Sequence, residues 1–203
     1  MLFRSSRMAA HASALVEWNR KINLTAITDP VLIAIKHFLD AVLPLPHLPS
    51  EPPLLDLGTG PGFPGIPIKI MRPDQPVTLV DASRKKINFV KHVLRTVQIS
   101  NACAIQARAE DLMNDPLYQR RYGVIVCRAF ADLDTIACLA APFLSADGNI
   151  YVYQGPGGSS RTPVPASVER QNALTYQVVA THAYVLPILG DRRLLTVIVP
   201  TAK

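Results

Sequence analysis

The run Leu54-Leu55-Asp56-Leu57 leads directly into Gly58-Thr59-Gly60-Pro61-Gly62-Phe63-Pro64-Gly65. A short apolar run that stops at clustered glycines reads as a buried strand entering a tight turn. Glycine reaches backbone conformations closed to other residues and lets the chain approach a ligand closely. The same strand pattern recurs at Val77–Asp81, Ala102–Ala107, Gly123–Cys127 and Asn149–Tyr153, with a helix over Ser83–Val97 between two of them. Strands alternating with helices predict an α/β fold, a doubly wound and mostly parallel sheet with helices on both faces. Gln177–Val185 and Arg193–Val199 have no helix between them, and their connection through Pro187 and Gly190-Asp191 is too short for a crossover. They are expected to close a seven-stranded sheet as an antiparallel C-terminal hairpin at one edge.

Upstream, Pro44, Pro46, Pro49, Pro52 and Pro53 fall within ten residues and cannot be helical. This stiff connector divides the chain into an N-terminal helical extension (residues 1–50) and a main domain (51–203), packed as one unit. In the extension, Asp29-Pro30 supplies an N-cap and a first-turn proline, and Leu32, Ile35, Leu39 and Val42 recur at helical spacing on one face. The stretch from Met1 to Val16 carries Arg4 and Arg7, but His11 interrupts its apolar run and no cleavage site follows. It reads as the start of a helix rather than a signal peptide. Gly155-Pro156-Gly157-Gly158-Ser159-Ser160 reads as a mobile loop.

Charged residues make up only 18% of the chain against 49% hydrophobic, which argues for a well-buried fold rather than disorder. No apolar run approaches the roughly 18 residues a membrane span needs. Cys103, Cys127 and Cys138 are odd in number and suit neither a disulfide framework nor a zinc site. Reduced, mostly buried and inert thiols in the cytoplasm are expected, with no metal. A net charge of +6 suits a polyanionic partner, of which nucleic acid is the commonest.

The glycine loop admits two cofactors. Gly60, Gly62 and Gly65 match the dinucleotide pattern G-x-G-x-x-G. The strand, however, ends at Asp56, and a carboxylate directly before the loop opposes a pyrophosphate and suits a cation. An acid-led D-x-G-x-G-x-G is the pattern of S-adenosylmethionine-dependent methyltransferases, whose cofactor carries a sulfonium and an ammonium. The helix that follows is expected to offer free N–H groups. Asp81 ends the next strand 23 residues after Gly58, where a carboxylate accepts both hydroxyls of an adenosine ribose. Either cofactor has that ribose.

The stretch from Asp56 to Pro67, with prolines among its glycines and a Gly-Ile-Pro ending, resembles the loop of the bacterial 16S rRNA guanine-N7 methyltransferases, the glucose-inhibited division protein B family. Asn23-Leu24-Thr25-Ala26-Ile27, Lys36-His37-Phe38-Leu39-Asp40, Arg128-Ala129-Phe130-Ala131 and Gly190-Asp191-Arg192-Arg193-Leu194 are similar to further family signatures in the same order. The resemblance implies a class I, Rossmann-like methyltransferase fold that uses S-adenosyl-L-methionine. Its implied target is a guanine N7 in the decoding-region loop of 16S rRNA or the small ribosomal subunit. It also implies cofactor contacts at Gly58, Phe63, Ala109, Glu110 and Arg128, added to Asp56, Gly60 and Asp81. Two departures stand out: Gln154-Gly155 where the family has lysine-glycine, and few residues before Trp18.

Arg84, Lys85, Lys91, His92 and Arg95 lie largely off the apolar stripe of Ile87, Val90, Leu94 and Val97, and form a candidate phosphate-binding face. A solvated helix surface is the alternative. His37 joins the RNA candidates, with packing or capping as the alternative for a lone histidine. A salt bridge with a helix acid is the alternative for Arg128, and an ordinary helix-start acid the alternative for Glu110. Guanine N7 bears a free lone pair, so no general base is expected; alignment is the enzyme's task, with Arg128 a positioning candidate. The other readings are a methyltransferase acting on another nucleic acid or a small molecule, a non-catalytic RNA- or cofactor-binding module, and a nicotinamide-dependent dehydrogenase.

Overall fold

The computed structural model describes residues 2–128, 132–155 and 175–201. Residues 129–131 of the Arg128 signature, and 156–160 of the glycine-rich loop, lie outside the described residues. Seven strands form one sheet in the order β3-β2-β1-β4-β5-β7-β6. They are β1 (Leu54–Leu57), β2 (Val77–Asp81), β3 (Ala102–Gln106), β4 (Tyr122–Arg128), β5 (Leu144–Gln154), β6 (Thr175–Val185) and β7 (Arg192–Thr201). The first five pair in parallel, and β7 pairs antiparallel with both β5 and β6. The expected edge hairpin is therefore present. β5 starts five residues before the expected Asn149.

The helices are α1 (Leu2–Asn19), α2 (Pro30–Ile33), α3 (Asp40–Val42), α4 (Gly65–Met71), α5 (Arg84–Thr96), α6 (Ala109–Leu112) and α7 (Leu133–Ala140). Period-two alternation sends strand side chains to opposite faces. Leu54, Leu79, Val124, Val126, Tyr151 and Tyr153 pack with Leu15 of α1, Ile66 and Ile68 of α4, and Phe89 and Val93 of α5. Leu55, Leu57, Val80, Ile125, Cys127 and Val152 pack with Leu112 of α6 and Ile136 and Ala140 of α7. Asp56 and Arg128 share the parity of Leu54 and Val124, so both side chains project toward the face that carries the N-terminal helices.

The segment from Pro30 to Val42 departs from a regular helical period. Asp29 caps it as expected, its carboxylate accepting from Leu32 N at 2.8 Å. Between α2 and α3, however, Ala34–Leu39 is wound as a π-helix. The wider turn rotates the faces. Ile33, Ile35, His37, Phe38, Asp40 and Ala41 are buried, whereas Leu39 and Val42 of the expected stripe are only half-buried and Leu32 likewise. π-turns are rare and concentrate at functional sites; this one turns a histidine and an aspartate inward.

The proline connector is held by side chains. Arg72 donates to the carbonyls of Leu45, Leu48 and Pro49 at 2.6–2.8 Å, and Gln75 to those of Pro49 and Pro52. Cys127 is buried and its thiol pKa is pushed up by desolvation, but Cys103 is exposed, contrary to the expectation of an enclosed thiol, because β3 is an edge strand. Among the described residues, no helix is long and apolar enough to cross a membrane, and no group of three or more His, Cys, Asp or Glu converges on a metal position.

Candidate functional site

The sequence-nominated cofactor residues lie at the carboxyl ends of β1 to β4 or in the turns that follow them, where ligands bind in open α/β sheets. Asp81 is the hub. Its Oδ2 accepts from Gly60 N at 2.9 Å, its Oδ1 from Ser83 N at 2.8 Å, and its carbonyl from Ala107 N at 3.2 Å. One residue thus joins the glycine loop, the start of α5, and the end of β3 that leads to Ala109 and Glu110. Ala109 is buried and Glu110 is exposed.

Asp56 lies beneath the loop rather than lining an open crevice. It is fully buried, and its Oδ2 accepts from Thr59 Oγ1 at 2.6 Å and Gly65 N at 2.8 Å. A Cβ at Gly65 would collide with Leu79 and that same carboxylate, so only glycine lets α4 start so close to β1. Asp56 Oδ1 is buried with no protein partner among the described residues. Desolvation is the main influence on its pKa and raises it to about 6, against the two hydrogen bonds to Oδ2.

The loop carries no spare donor, contrary to the expectation from sequence. Gly58 N and Thr59 N donate to Val80 O, Gly60 N to Asp81, Gly62 N and Phe63 N to Thr59 O, Gly65 N to Asp56, and Ile66 N to Gly62 O. Pro61, Pro64 and Pro67 have no N–H. A pyrophosphate needs such donors and would find none between Gly58 and Pro67. A cation finds the buried Asp56 charge and the Asp81 carboxylate, whose Oδ2 also lies 3.8 Å from Lys86 Nζ. The loop also leaves room: at Gly60 (φ 58°) a Cβ would meet nothing within 4 Å, so the backbone faces open space there. An unpartnered carboxylate oxygen, spent amides and an open glycine face fit a cationic adenosine cofactor.

Arg128 ends β4 within a network that reaches back to the N-terminal helices. Its guanidinium donates to Lys36 O at 3.2 Å and to His37 Nδ1 at 3.3 Å, lies 3.7 Å from Asp40 Oδ2, and sits 5.3 Å from the Phe63 ring centroid. The helix-acid salt bridge held open for Arg128 is therefore real, and its partner is Asp40. Asp40 also accepts from Tyr184 Oη at 2.8 Å and lies 3.6 Å from Arg193 Nε. Burial nevertheless raises its carboxyl pKa.

His37 is not a surface group available to RNA. It is 8% exposed, stacks on Phe63 at 4.8 Å, and contacts Thr25 Oγ1 at 3.0 Å. Arginine only donates, so His37 Nδ1 accepts from Arg128 and Nε2 carries the proton toward Thr25. Desolvation, reinforced by Arg128, lowers its pKa to about 4. Arg84, Lys85, Lys91 and Arg95 are exposed on α5, whereas the half-buried His92 lies tilted against Trp18, with ring centroids 5.0 Å apart. Sequence alone places Asp40, Thr25 and Arg193 only within family signatures and shows His11 merely as a break in an apolar run. The signal for His11 is its position on the buried side of α1.

A mostly parallel sheet in this strand order, with an acid-floored glycine loop at its carboxyl edge, defines a class I methyltransferase fold. Solved structures agree. A SAM-dependent methyltransferase from Aquifex aeolicus superposes with a TM-score of 0.58 at 11% identity over 90% of this chain and 97% of that one. A ribosomal protein L11 methylase from Lactobacillus delbrueckii does so at 0.54 and 16% identity, over 80% and 77%. The model of the family described as rRNA small subunit methyltransferase G matches residues 4–183. Proteins named ribosomal RNA small subunit methyltransferase G are 40% identical in Geobacter sulfurreducens (91% of this chain, 83% of that one) and 38% identical in Desulforamulus reducens (91% and 77%). The chain belongs to the rRNA small subunit methyltransferase G family.

Proposed function

We propose that this protein transfers the methyl group of S-adenosyl-L-methionine to N7 of a guanine in 16S rRNA, on the decoding-region loop of the small ribosomal subunit, in the bacterial cytoplasm. The observation that carries the cofactor assignment is the loop from Gly58 to Pro67, with every amide N–H spent and a buried aspartate beneath it. Family membership carries the substrate class.

When bound, S-adenosyl-L-methionine supplies an electrophilic methyl group on a sulfonium. Asp56 stabilises positive charge through the loop, and Gly58, Gly60 and Phe63 shape the surface above it. Asp81 is assigned to the ribose hydroxyls, and Ala109 and Glu110 to the adenine edge. Arg128 holds the π-helix and Phe63 in register with the loop. Because guanine N7 is already a free lone pair at neutral pH, no residue is assigned to remove a proton, and rate comes from alignment. Arg84, Lys85, Lys91 and Arg95 are assigned to RNA phosphates, which position the substrate without reading its sequence. Residues 1–50 act as a helical extension that packs with 51–203 as one unit, a reading supported by the Arg72 and Gln75 bonds to the connector.

Calorimetry and labelled transfer test these assignments. The protein should bind S-adenosylhomocysteine and not NAD, and should move labelled methyl from S-adenosylmethionine to a guanine N7 of small ribosomal subunits. Binding of NAD alone would sink the cofactor assignment. Cofactor binding without transfer to ribosomal RNA would sink the substrate.

A further inference from the structure

One buried side chain at the loop has no part in the scheme above. His11, on α1, is fully buried among the rings of Phe38, Phe63 and Phe89. It stacks on Phe63 with centroids 4.7 Å apart and planes 13° apart, so two imidazoles, His11 and His37, pack against one phenyl ring of the loop. Its Nε2 is 3.0 Å from Pro61 O. A carbonyl only accepts, so Nε2 carries the proton and Nδ1 is bare. That Nδ1 is buried with no partner among the described residues. Desolvation lowers its pKa to about 3, so the ring is neutral near pH 7.

An imidazole is a poor choice here for packing alone. It strands one nitrogen in apolar surroundings, whereas a phenyl or isobutyl group would fill similar space without that cost. What only the histidine supplies is the N–H that fixes the Pro61 carbonyl. Pro61 has no N–H of its own, and it stands between Gly60 and Gly62, both at positive φ (58° and 93°). From within the loop, Gly62 N–H to Thr59 O holds the peptide plane that carries the Pro61 carbonyl, and the His11 N–H is its second anchor. Next to it, the backbone at Gly60 faces open space.

We propose that His11 is a positioning residue for the methyl-donor site: its N–H holds the Pro61 carbonyl, its ring braces Phe63, and together they fix the orientation of the Gly60–Gly62 backbone. The inference rests on the assignment of this loop to the donor. It makes α1 part of the donor site through the His11 contacts with Pro61 and Phe63.

Two substitutions separate positioning from packing. His11→Phe keeps the stacked ring and loses the N–H. His11→Gln loses the ring but can place an amide N–H near Pro61 O. Calorimetric titration with S-adenosylhomocysteine is paired with thermal unfolding in the absence of ligand. The Phe variant should unfold within a few degrees of wild type while its affinity falls about tenfold. The Gln variant should unfold earlier yet keep its affinity within about threefold. A Phe variant that binds like wild type, or affinity losses that rank as the unfolding temperatures do, would overturn the proposal. His11→Leu, which also lacks a donor, makes the same comparison if the phenyl ring proves too large. Wild type that binds no S-adenosylhomocysteine would instead remove the donor-site assignment, and this inference with it.

Discussion

Asp56→Asn separates what the loop's aspartate does for the fold from what it does for a ligand. The carboxylate is fully buried, and its pKa stands at about 6 against an ordinary 3.8. That difference means the folded protein prefers the neutral group by about 3 kcal/mol at most, at 1.36 kcal/mol per unit. Asparagine is the neutral shape: its oxygen can take the Thr59 and Gly65 bonds that Oδ2 now accepts. Its amide inherits the unpartnered position of Oδ1, which offsets part of the gain. A stabilisation of about 1–3 kcal/mol remains, or roughly 3–9 °C in Tm for a chain of this size, at about pH 8. The sign follows from proton uptake. Between pH 3.8 and about 6 the folded wild type holds a proton that the unfolded chain has released, so this group's contribution to stability falls as pH rises through that window. The variant's advantage should therefore shrink as pH drops below about 6 and vanish near 4. Donor affinity should move the other way. A unit charge about 4–8 Å from another attracts it by about 2–4 kcal/mol at an effective dielectric near 20, so binding of S-adenosylmethionine should weaken at least about tenfold. Differential scanning calorimetry across pH and isothermal titration read the two quantities separately. A variant less stable than wild type at about pH 8, or one that binds the donor as tightly, would refute the assignment of Asp56 as a strained charge kept for a cation.

Three further outcomes are expected. His11 and His37, with pKa values lowered from 6.5 to about 3 and about 4, refuse protons that the unfolded chain accepts, so stability should fall as pH drops from 6.5 toward 4; urea unfolding should show that fall, and a shallower one in His11→Phe. Arg128→Met leaves Asp40 with Arg193 and Tyr184 alone in a buried place and should cost about 3 kcal/mol in denaturant unfolding. Arg128→Lys should recover little of it, because an ammonium cannot span Lys36 O, His37 and Asp40 as the planar guanidinium does. Reversing Arg84, Lys85 and Lys91 to glutamate should leave Tm nearly unchanged, weaken RNA binding, and lower the salt slope by about 0.7–0.9 for each phosphate no longer neutralised; an unchanged slope would confine α5 to a solvated surface.

The glycine loop, the sheet and its edge hairpin were legible because their signals are local. Period-two alternation and glycines after Leu57 depend on neighbours a few residues away. The inward-facing polar cluster was not legible, for a physical reason. Asp40 meets Tyr184 and Arg193 across some 150 residues of chain, and Arg128 meets Lys36 and His37 across about 90; only the folded sheet brings them together. The helical spacing of Pro30–Val42 misled in a more specific way. Leu32, Ile35, Leu39 and Val42 fit a period of 3.6, but the π-turn at Ala34–Leu39 breaks that period and exchanges an apolar stripe for His37 and Asp40.

The same contrast explains the loop. Its sequence announced a turn that leaves a helix N-terminus open, and by propensity alone α4 would offer free amides to an anion. Asp56 changes that outcome: its carboxylate reaches under the turn and takes Gly65 N–H, while Thr59, Gly62, Val80 and Asp81 absorb the other donors. A helix start that would attract a phosphate is thereby filled from within by a fixed negative charge. Gly60, Gly62 and Gly65 make the loop look like a dinucleotide site, and Asp56 is the residue that stops it from being one.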